Sequence, residues 1–138
     1  MRKNFIRLGT MLCAISVLFG AFGAHGLKEM ITADQLAIFK TAVQYQFIHA
    51  IALLIVGVLL YFRKTSWMPI AGWFFLAGIV CFSGSLYLLS IRDIFNLPTS
   101  LIGPITPIGG LLFVAGWITL FASTYQSNEK RYRKANTE

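Results

Sequence analysis

The sequence has few charged residues, and long parts of it have none at all. Charged side chains make up 12% of the 138 residues and hydrophobic ones 57%, whereas a soluble domain carries about 25% charged residues. A small domain buries only a modest fraction of its surface, so a water-soluble fold of this length could not hide so much apolar surface. Cysteine is also scarce, because only Cys13 and Cys81 occur. Both lie inside apolar stretches, and two cysteines do not define a redox compartment.

Four stretches of the chain contain no Lys, Arg, Asp or Glu: residues 8–27, 41–62, 65–91 and 94–128. A spanning helix needs about 20 mainly apolar residues, and in lipid a single span must be a helix to satisfy its own backbone hydrogen bonds. The sequence therefore predicts an all-α membrane protein, a single domain of residues 1–138 that forms a four-helix transmembrane bundle. We place the spans at about 5–24, 42–62, 68–90 and 101–125, with an outside loop at 25–41 and a basic tail at 126–138.

The basic residues are distributed unevenly between the two sides of the predicted bundle. Nine of them fall on the side of the termini: Arg2, Lys3, Arg7, Arg63, Lys64, Lys130, Arg131, Arg133 and Lys134. Three fall on the other side: Lys28, Lys40 and Arg92. The positive-inside rule then predicts that both termini lie in the cytoplasm. Basic ends of this kind suit a lipid bilayer with anionic headgroups, and no basic face alternates with aromatic residues as a nucleic-acid partner would require.

The first apolar stretch resembles a signal peptide, because Arg2, Lys3 and Arg7 precede an apolar run that ends in small residues. A cleaved signal usually has an apolar core of only about 7–15 residues. The run here is longer and continues through Gly26. We therefore expect the first span to be retained as a helix, with cleavage as the alternative.

Two local patterns predict how the second and fourth spans begin. Thr32–Gln35 has the spacing of a capping box, in which an N-terminal Thr and a Gln three residues later each bond the other's backbone N–H. This predicts a helix that begins near Ala33, above the membrane, and continues into the second span. Prolines at 98, 104 and 107 interrupt the opening of the fourth span. That span either begins late and barely crosses, or begins near Leu101 and kinks at the prolines.

The predicted spans contain no acidic residue, which disfavours proton-coupled transporters that use an intramembrane carboxylate. His49 is the ionisable residue well inside a span, and Tyr45 and Gln46 share its helical face. An ionisable group at this depth marks either a functional site or an interhelical hydrogen bond that fixes packing. We favour packing.

Polar residues gather in the outer half of the predicted bundle when depth is counted at about 1.5 Å per residue. They are His25, Gln46, His49, Ser83, Ser85 and Thr106. We hypothesise a small polar cluster or shallow cavity open to the outside, and unrelated packing contacts are an equal alternative. His25 and His49 lie at different depths, which does not suit a bis-histidine haem. We expect neither a metal nor another cofactor.

Four segments of the chain resemble the blocks of one membrane-protein family. They are LFGAFGAHGL at 18–27, TAVQYQFIHA at 41–50, FSGSLYLL at 82–89 and ITPIGG at 105–110. In this order they resemble the domain-of-unknown-function 423 family, the UPF0382 membrane proteins. The resemblance implies a multi-pass protein of the bacterial cytoplasmic membrane with four spans, a retained first span and no established activity. The blocks contain the six polar residues above and add Gln44 as a candidate.

The chemistry of the chain favours binding over catalysis, because no nucleophile and base stand at a catalytic spacing. The leading hypothesis is a non-enzymatic membrane protein that binds a lipid, a small solute or a partner protein through its outer half. The alternative is a small transporter or channel, since proline-broken helices line many transporter sites. Four spans rarely enclose a pore alone, so that alternative implies a homo-oligomer. The sequence does not identify the small-molecule ligand.

Overall fold

Helices account for almost all of the chain in the computed structural model, which describes residues 1–63 and 65–135, with residues 126–135 as backbone only. The α-helices are α1 (Arg2–His25), α2 (Ala33–Phe62), α3 (Trp67–Gly78), α4 (Gly84–Ser90), α5 (Arg92–Phe95), α6 (Thr99–Ile102) and α7 (Ile105–Ala135). A 3-10 turn covers Leu27–Glu29, and a π-helix at Ile79–Ser83 joins α3 to α4. No strand occurs within these residues. The expected all-α class is confirmed.

Four helical segments are long and apolar enough to cross a membrane. They are Arg2–Glu29, Ala33–Phe62, Trp67–Ser90 and Thr99–Tyr125. The predicted number of spans is therefore confirmed. The third segment contains α3, the π-helix and α4, and the fourth contains α6 and the first part of α7.

The start of α2 has the predicted capping box. The Thr32 side chain accepts a hydrogen bond from the Gln35 backbone N–H at 3.3 Å, and the Thr32 backbone N–H donates to Gln35 Oε1 at 3.0 Å. The same Gln35 side chain donates through Nε2 to Asp93 Oδ2 at 2.7 Å. The cap thus also joins the start of α2 to α5. We call this end of the bundle, with residues 26–32 and 91–104, the loop end.

The fourth span begins with two separate helices. The short α6 ends at Ile102, and the long α7 begins at Ile105 after a turn at Gly103 and Pro104. Pro107 lies in the first turn of α7, where its missing N–H would have no partner in the helix. The continuous helix of this span therefore begins late, at Ile105, but at about 1.5 Å per residue the stretch 105–125 is about 30 Å long. That length is enough to cross the hydrocarbon core of a bilayer.

The core of the bundle forms around α2. Leu53 and Val56 are completely buried and pack in one cluster with Phe5 of α1, Phe75 of α3 and Phe113 of α7. Dispersion contacts of such side chains hold helices together in lipid, where burial brings no hydrophobic gain between them.

Two glycines allow close approach of neighbouring helix backbones. A Cβ at Gly9 of α1 would lie 2.9 Å from the Ala50 carbonyl oxygen of α2. A Cβ at Gly109 of α7 would collide with the Phe82 backbone in the π-helix. Small residues at such crossings are typical of membrane helix packing. They set the distance of α1 and α7 from the rest of the bundle.

Candidate functional site

Gln46 joins three helices through its side chain. Its Nε2 donates to the Leu12 carbonyl oxygen of α1 at 3.1 Å, and its Oε1 accepts from the Tyr87 hydroxyl of α4 at 3.0 Å. The residue is 3% exposed. A buried amide is stable in lipid only when its polar atoms are paired. The two hydrogen bonds of Gln46 therefore stabilise the packing of the three helices. A ligand that bound to Gln46 would have to displace one of these hydrogen bonds.

His49 is likewise occupied by neighbouring residues. Its Nδ1 lies 2.8 Å from the Tyr45 carbonyl oxygen, and its Nε2 lies 3.2 Å from Trp117 Nε1. The indole N–H can only donate, so Nε2 must accept and Nδ1 carries the ring proton. The ring also stacks on Phe113, with centroids 3.5 Å apart. This arrangement fits a neutral imidazole that joins α2 to α7.

Ser85 and Thr106 are brought together by the structure. Their hydroxyl oxygens lie 2.7 Å apart, and Ser85 also donates to the Phe82 carbonyl oxygen at 2.9 Å. The contact joins α4 to the start of α7. Ser83, two residues earlier, ends the π-helix and is completely buried, and its hydroxyl has no hydrogen-bond partner among the described residues. Because π-helices are rare and often lie at functional sites, this hydroxyl is a candidate polar position.

The remaining two predicted residues lie on the surface. His25 is exposed near the loop end, with Nδ1 3.1 Å from the Ala21 carbonyl oxygen of its own helix. Gln44 is exposed on α2. The structure thus pairs Ser85 with Thr106, and joins Gln46 to Tyr87 and His49 to Trp117. Among the described residues, neither His25 nor Gln44 forms a hydrogen bond to a member of these pairs.

A groove runs between α1 and α2 on the outside of the bundle. Its volume is about 290 Å³. The lining residues are Ser16, Val17, Gly20 and Gly23 of α1 and Phe39, Lys40, Val43, Gln44 and Phe47 of α2. Gly20 leaves space open because it carries no side chain, whereas the Phe39 ring fills the space beside Gly23. We call this feature the α1/α2 groove.

The α1/α2 groove combines apolar walls with two free polar side chains. Lys40 and Gln44 are exposed, and neither forms an ion pair or side-chain hydrogen bond with another residue of the described chain. Ser16 differs from them, because its hydroxyl already donates to the Leu12 carbonyl oxygen at 2.9 Å. A ligand in the groove would therefore meet one ammonium group and one amide beside an apolar surface.

The family model described as "Protein of unknown function (DUF423)" matches residues 19–110. The chain belongs to this DUF423 family. It is 43% identical to the UPF0382 membrane protein SH2409 of Staphylococcus haemolyticus over 126 residues, which cover 90% of this chain and 97% of the relative. It is 44% identical to the UPF0382 membrane protein YwdK of Bacillus subtilis over 121 residues, which cover 86% and 93%. No solved structure matches the chain.

The names of these relatives describe membrane proteins and no activity. Together with the four apolar helices, they identify the DUF423 protein as a multi-pass membrane protein of an uncharacterised family. The segment matched by the family model contains the seven predicted polar residues and most of the α1/α2 groove. Ser16, Val17 and Trp117 lie outside the matched segment.

The sequence interpretation missed three features of the site. Lys40 was used only to assign the sides of the membrane, although it directly precedes a charge-free stretch and so marks a span boundary. Gly20 and Gly23 lay inside a family block, three residues apart and hence on one helical face, which could have indicated a groove. The π-helix has no comparable local signal. Within the described residues no group of three His, Cys, Asp or Glu side chains could hold a metal ion.

Proposed function

We propose that this DUF423 protein is a non-enzymatic membrane protein that binds an anionic lipid along the α1/α2 groove. The observation that supports it is a groove of about 290 Å³ with apolar walls and with Lys40 at its loop-end side. Lys40 directly precedes the charge-free stretch 41–62, so its ammonium group falls at headgroup level. Phe47 lies seven residues further along α2, which is about 10 Å deeper. A lipid chain fits that direction, with its headgroup beside Lys40.

The groove opens toward lipid tails, which are as apolar as its walls. We therefore expect selectivity among lipids to come from the headgroup and from how closely an acyl chain fits the groove. Moving an acyl chain from the bilayer into the groove brings no hydrophobic gain, only closer van der Waals packing. A basic residue near an anionic membrane surface contributes about 1 kcal/mol. Lys40 would thus favour an anionic over a zwitterionic headgroup roughly fivefold. Gln44 adds a hydrogen-bond donor and acceptor near the same position.

The buried polar residues are weaker candidates for ligand binding than the groove. Gln46, His49 and Ser85 already form hydrogen bonds inside the bundle. A ligand that used them would have to break these bonds in a low-dielectric interior, which is costly. This supports a structural role for the three residues and a binding role for the exposed pair Lys40 and Gln44.

The experiment fills the groove without disturbing the helix packing. A Cβ at Gly20 would lie 3.7 Å from Val43 Cγ1, an ordinary contact, so we expect Gly20→Leu to fold and to place its side chain in the groove. Ala21→Leu adds the same bulk on an exposed α1 position that does not line the groove. Native mass spectrometry of the protein in mild detergent then measures bound phosphatidylglycerol. We expect Gly20→Leu to bind one lipid fewer than the unchanged protein, and Ala21→Leu to bind as many as the unchanged protein.

The charge is tested separately with Lys40→Gln and its control Lys28→Gln, which changes a loop-end lysine outside the groove. Lys40→Gln should reduce the preference for phosphatidylglycerol over phosphatidylcholine roughly fivefold. Lys28→Gln should leave it unchanged. Equal lipid binding by Gly20→Leu, Ala21→Leu and the unchanged protein would overturn the proposal.

A small oligomeric transporter or channel is the second candidate. The observation that favours it is the interruption of the third span by the π-helix Ile79–Ser83, with the unpaired Ser83 hydroxyl at its end. Interrupted helices are common where transporters bind a solute. Solute flux into proteoliposomes, combined with the oligomeric mass in detergent, distinguishes the two. Flux that is lost on Ser83→Ala would support transport, and a monomer without flux would support lipid binding alone.

We also propose that the protein lies in the bacterial cytoplasmic membrane with both termini in the cytoplasm. The uneven distribution of basic residues supports this orientation, with nine on the side of the termini and three on the other. In that orientation the α1/α2 groove belongs to the outer half of the bilayer.

A further inference from the structure

Two neighbouring cavities lie at the end of the bundle opposite the loop end. We call it the basic end, because Arg2, Lys3 and Arg63 lie there. One cavity has a volume of about 320 Å³ and is lined by Met1, Arg2, Leu60, Arg63, Thr65 and Pro69. The second has about 310 Å³ and is lined by Met1, Arg2, Lys3, Asn4 and Tyr61. Met1 and Arg2 form part of both walls, so Arg2 lies where the two cavities meet.

Arg2 is held in place by an aromatic side chain rather than by an acid. Its guanidinium carbon lies 5.1 Å from the centroid of the Tyr61 ring. A cation–π contact of this kind leaves the five N–H donors of the guanidinium group without an acceptor of their own, so they are available to an anion. Within the described residues an ion pair joins Arg92 to Asp93, whereas neither Arg2 nor Arg63 has an acidic partner.

Three of the acidic residues lie far from these cavities. Glu29 and Asp93 belong to the loop end, and Asp34 lies next to it in the first turn of α2. The 24 residues of α1 separate the two ends by about 36 Å, at about 1.5 Å per residue. That distance exceeds the Debye length of about 10 Å at 0.1 M salt. The positive charge of Arg2, Lys3 and Arg63 is therefore not compensated by those acids.

The polar wall of the first cavity adds hydrogen-bonding capacity to this charge. Thr65 is 8% exposed, and its hydroxyl oxygen accepts a bond from the Met68 backbone N–H at 3.3 Å, near the start of α3. The hydroxyl proton remains available as a donor. The positive ends of the α1 and α3 helix dipoles lie at the same end of the bundle. Leu60 and Pro69 supply an apolar wall beside the charged groups.

We propose that the basic-end cavities bind the phosphodiester of an anionic phospholipid, with Arg2 and Arg63 as its principal ligands. A planar guanidinium group matches two phosphate oxygens. A membrane lipid suits the cavity better than a soluble anion because apolar walls adjoin the charges. Phe62 is 80% exposed and Trp67 45%, and such aromatic residues favour the headgroup level of a bilayer. This site is separate from the α1/α2 groove and does not depend on the proposed function.

The experiment compares charge-preserving and charge-removing variants of the full chain. Arg2→Lys with Arg63→Lys keeps the charge but loses the planar guanidinium fork. Arg7→Gln removes a charge at an exposed α1 position that lines neither cavity. Each protein in mild detergent is titrated with phosphatidylglycerol or with phosphatidylcholine of the same acyl chains, and bound lipid is counted by native mass spectrometry. A parallel titration uses inorganic phosphate.

We expect the double Lys variant to bind one phosphatidylglycerol fewer than the unchanged protein, whereas Arg7→Gln binds as many as the unchanged protein. The double variant Arg2→Gln with Arg63→Gln should weaken binding roughly 30-fold, at unchanged helix content by circular dichroism. The double Lys variant could bind phosphatidylglycerol as the unchanged protein does while Arg7→Gln binds it more weakly. The lipid would then be attracted by the overall positive charge of this end, and the proposed site would be wrong. Displacement of the lipid by inorganic phosphate at similar concentration would also overturn it, because the ligand would then be a soluble anion. Gly20→Leu leaves these cavities intact, so failure of the groove proposal is distinguishable.

Discussion

Tyr87 illustrates how single polar residues stabilise this bundle. Its hydroxyl donates to Gln46 Oε1 across two spans, and its ring lies edge-on to Phe19 with centroids 5.0 Å apart. In lipid the alternative to such a bond is an unpaired polar atom, yet measured values are modest, at about 0.6 kcal/mol on average. Each interhelical hydrogen bond is thus weak alone. Together these bonds favour one packing arrangement of the helices over others that would bury a similar apolar surface.

We expect Tyr87→Phe to lower the free energy of unfolding by about 1 kcal/mol, because it leaves Gln46 Oε1 buried without its donor. The ring contacts with Phe19 and Phe39 stay in place. Unfolding in mixed micelles with increasing denaturing detergent, followed by circular dichroism, measures the change. Tyr125→Phe is the control, since Tyr125 is 62% exposed at the far end of the span. A loss of the same size in both variants would show that the Gln46 bond adds nothing.

At the scale of helices, close backbone contact holds α1 against α2. A methyl group added at Gly9 would lie 2.9 Å from both the Ala50 carbonyl oxygen and the Leu54 backbone N of α2. Backbone atoms cannot rotate away as a side chain can. The two helices therefore approach closely at Gly9. The α1/α2 groove lies further along the same two helices, toward the loop end.

Gly9→Ala should separate α1 from α2 and lower the free energy of unfolding by about 1–3 kcal/mol, as overpacking usually does. Gly20→Ala on the same helix is the matched control, because its Cβ would lie 3.7 Å from the Val43 side chain. The free energy of unfolding of Gly20→Ala should be close to that of the unchanged protein. The same detergent titration compares them. A Gly9→Ala protein as stable as Gly20→Ala would mean that the helices adjust without cost.

Structural features that depend on residues close together in the sequence could be predicted from it. Features that depend on residues far apart in the sequence could not. The capping box of Thr32 and Gln35 follows from residues three apart, and both of its bonds are present. The partners of Gln46 and His49 lie on other helices, so their identity depends on how those helices pack. The π-helix at Ile79–Ser83 lies where Gly109 of α7 meets the Phe82 backbone. No local pattern in the sequence predicts that contact between two distant segments.

At the scale of the whole molecule, the two ends differ in charge and in structure. The basic end carries Arg2, Lys3 and Arg63 around two cavities. The loop end carries the short helices α5 and α6, and the Gln35–Asp93 hydrogen bond joins α5 to the start of α2. Cytoplasmic leaflets hold anionic lipids that attract basic residues. The proposed orientation therefore agrees with the proposed phosphodiester site, although each has its own experimental test.

The orientation predicts which end of the protein an external reagent can reach. In a background with Cys13→Ala and Cys81→Ala, Met30→Cys introduces a thiol at a loop-end position that is 61% exposed, and Asn4→Cys introduces one at the exposed basic end. A membrane-impermeant thiol reagent added to intact cells should label the Met30→Cys protein alone. After permeabilisation it should label both, which controls for reactivity. Labelling of Asn4→Cys alone in intact cells would reverse the orientation, and the α1/α2 groove would then belong to the inner leaflet with Lys40 facing its anionic headgroups.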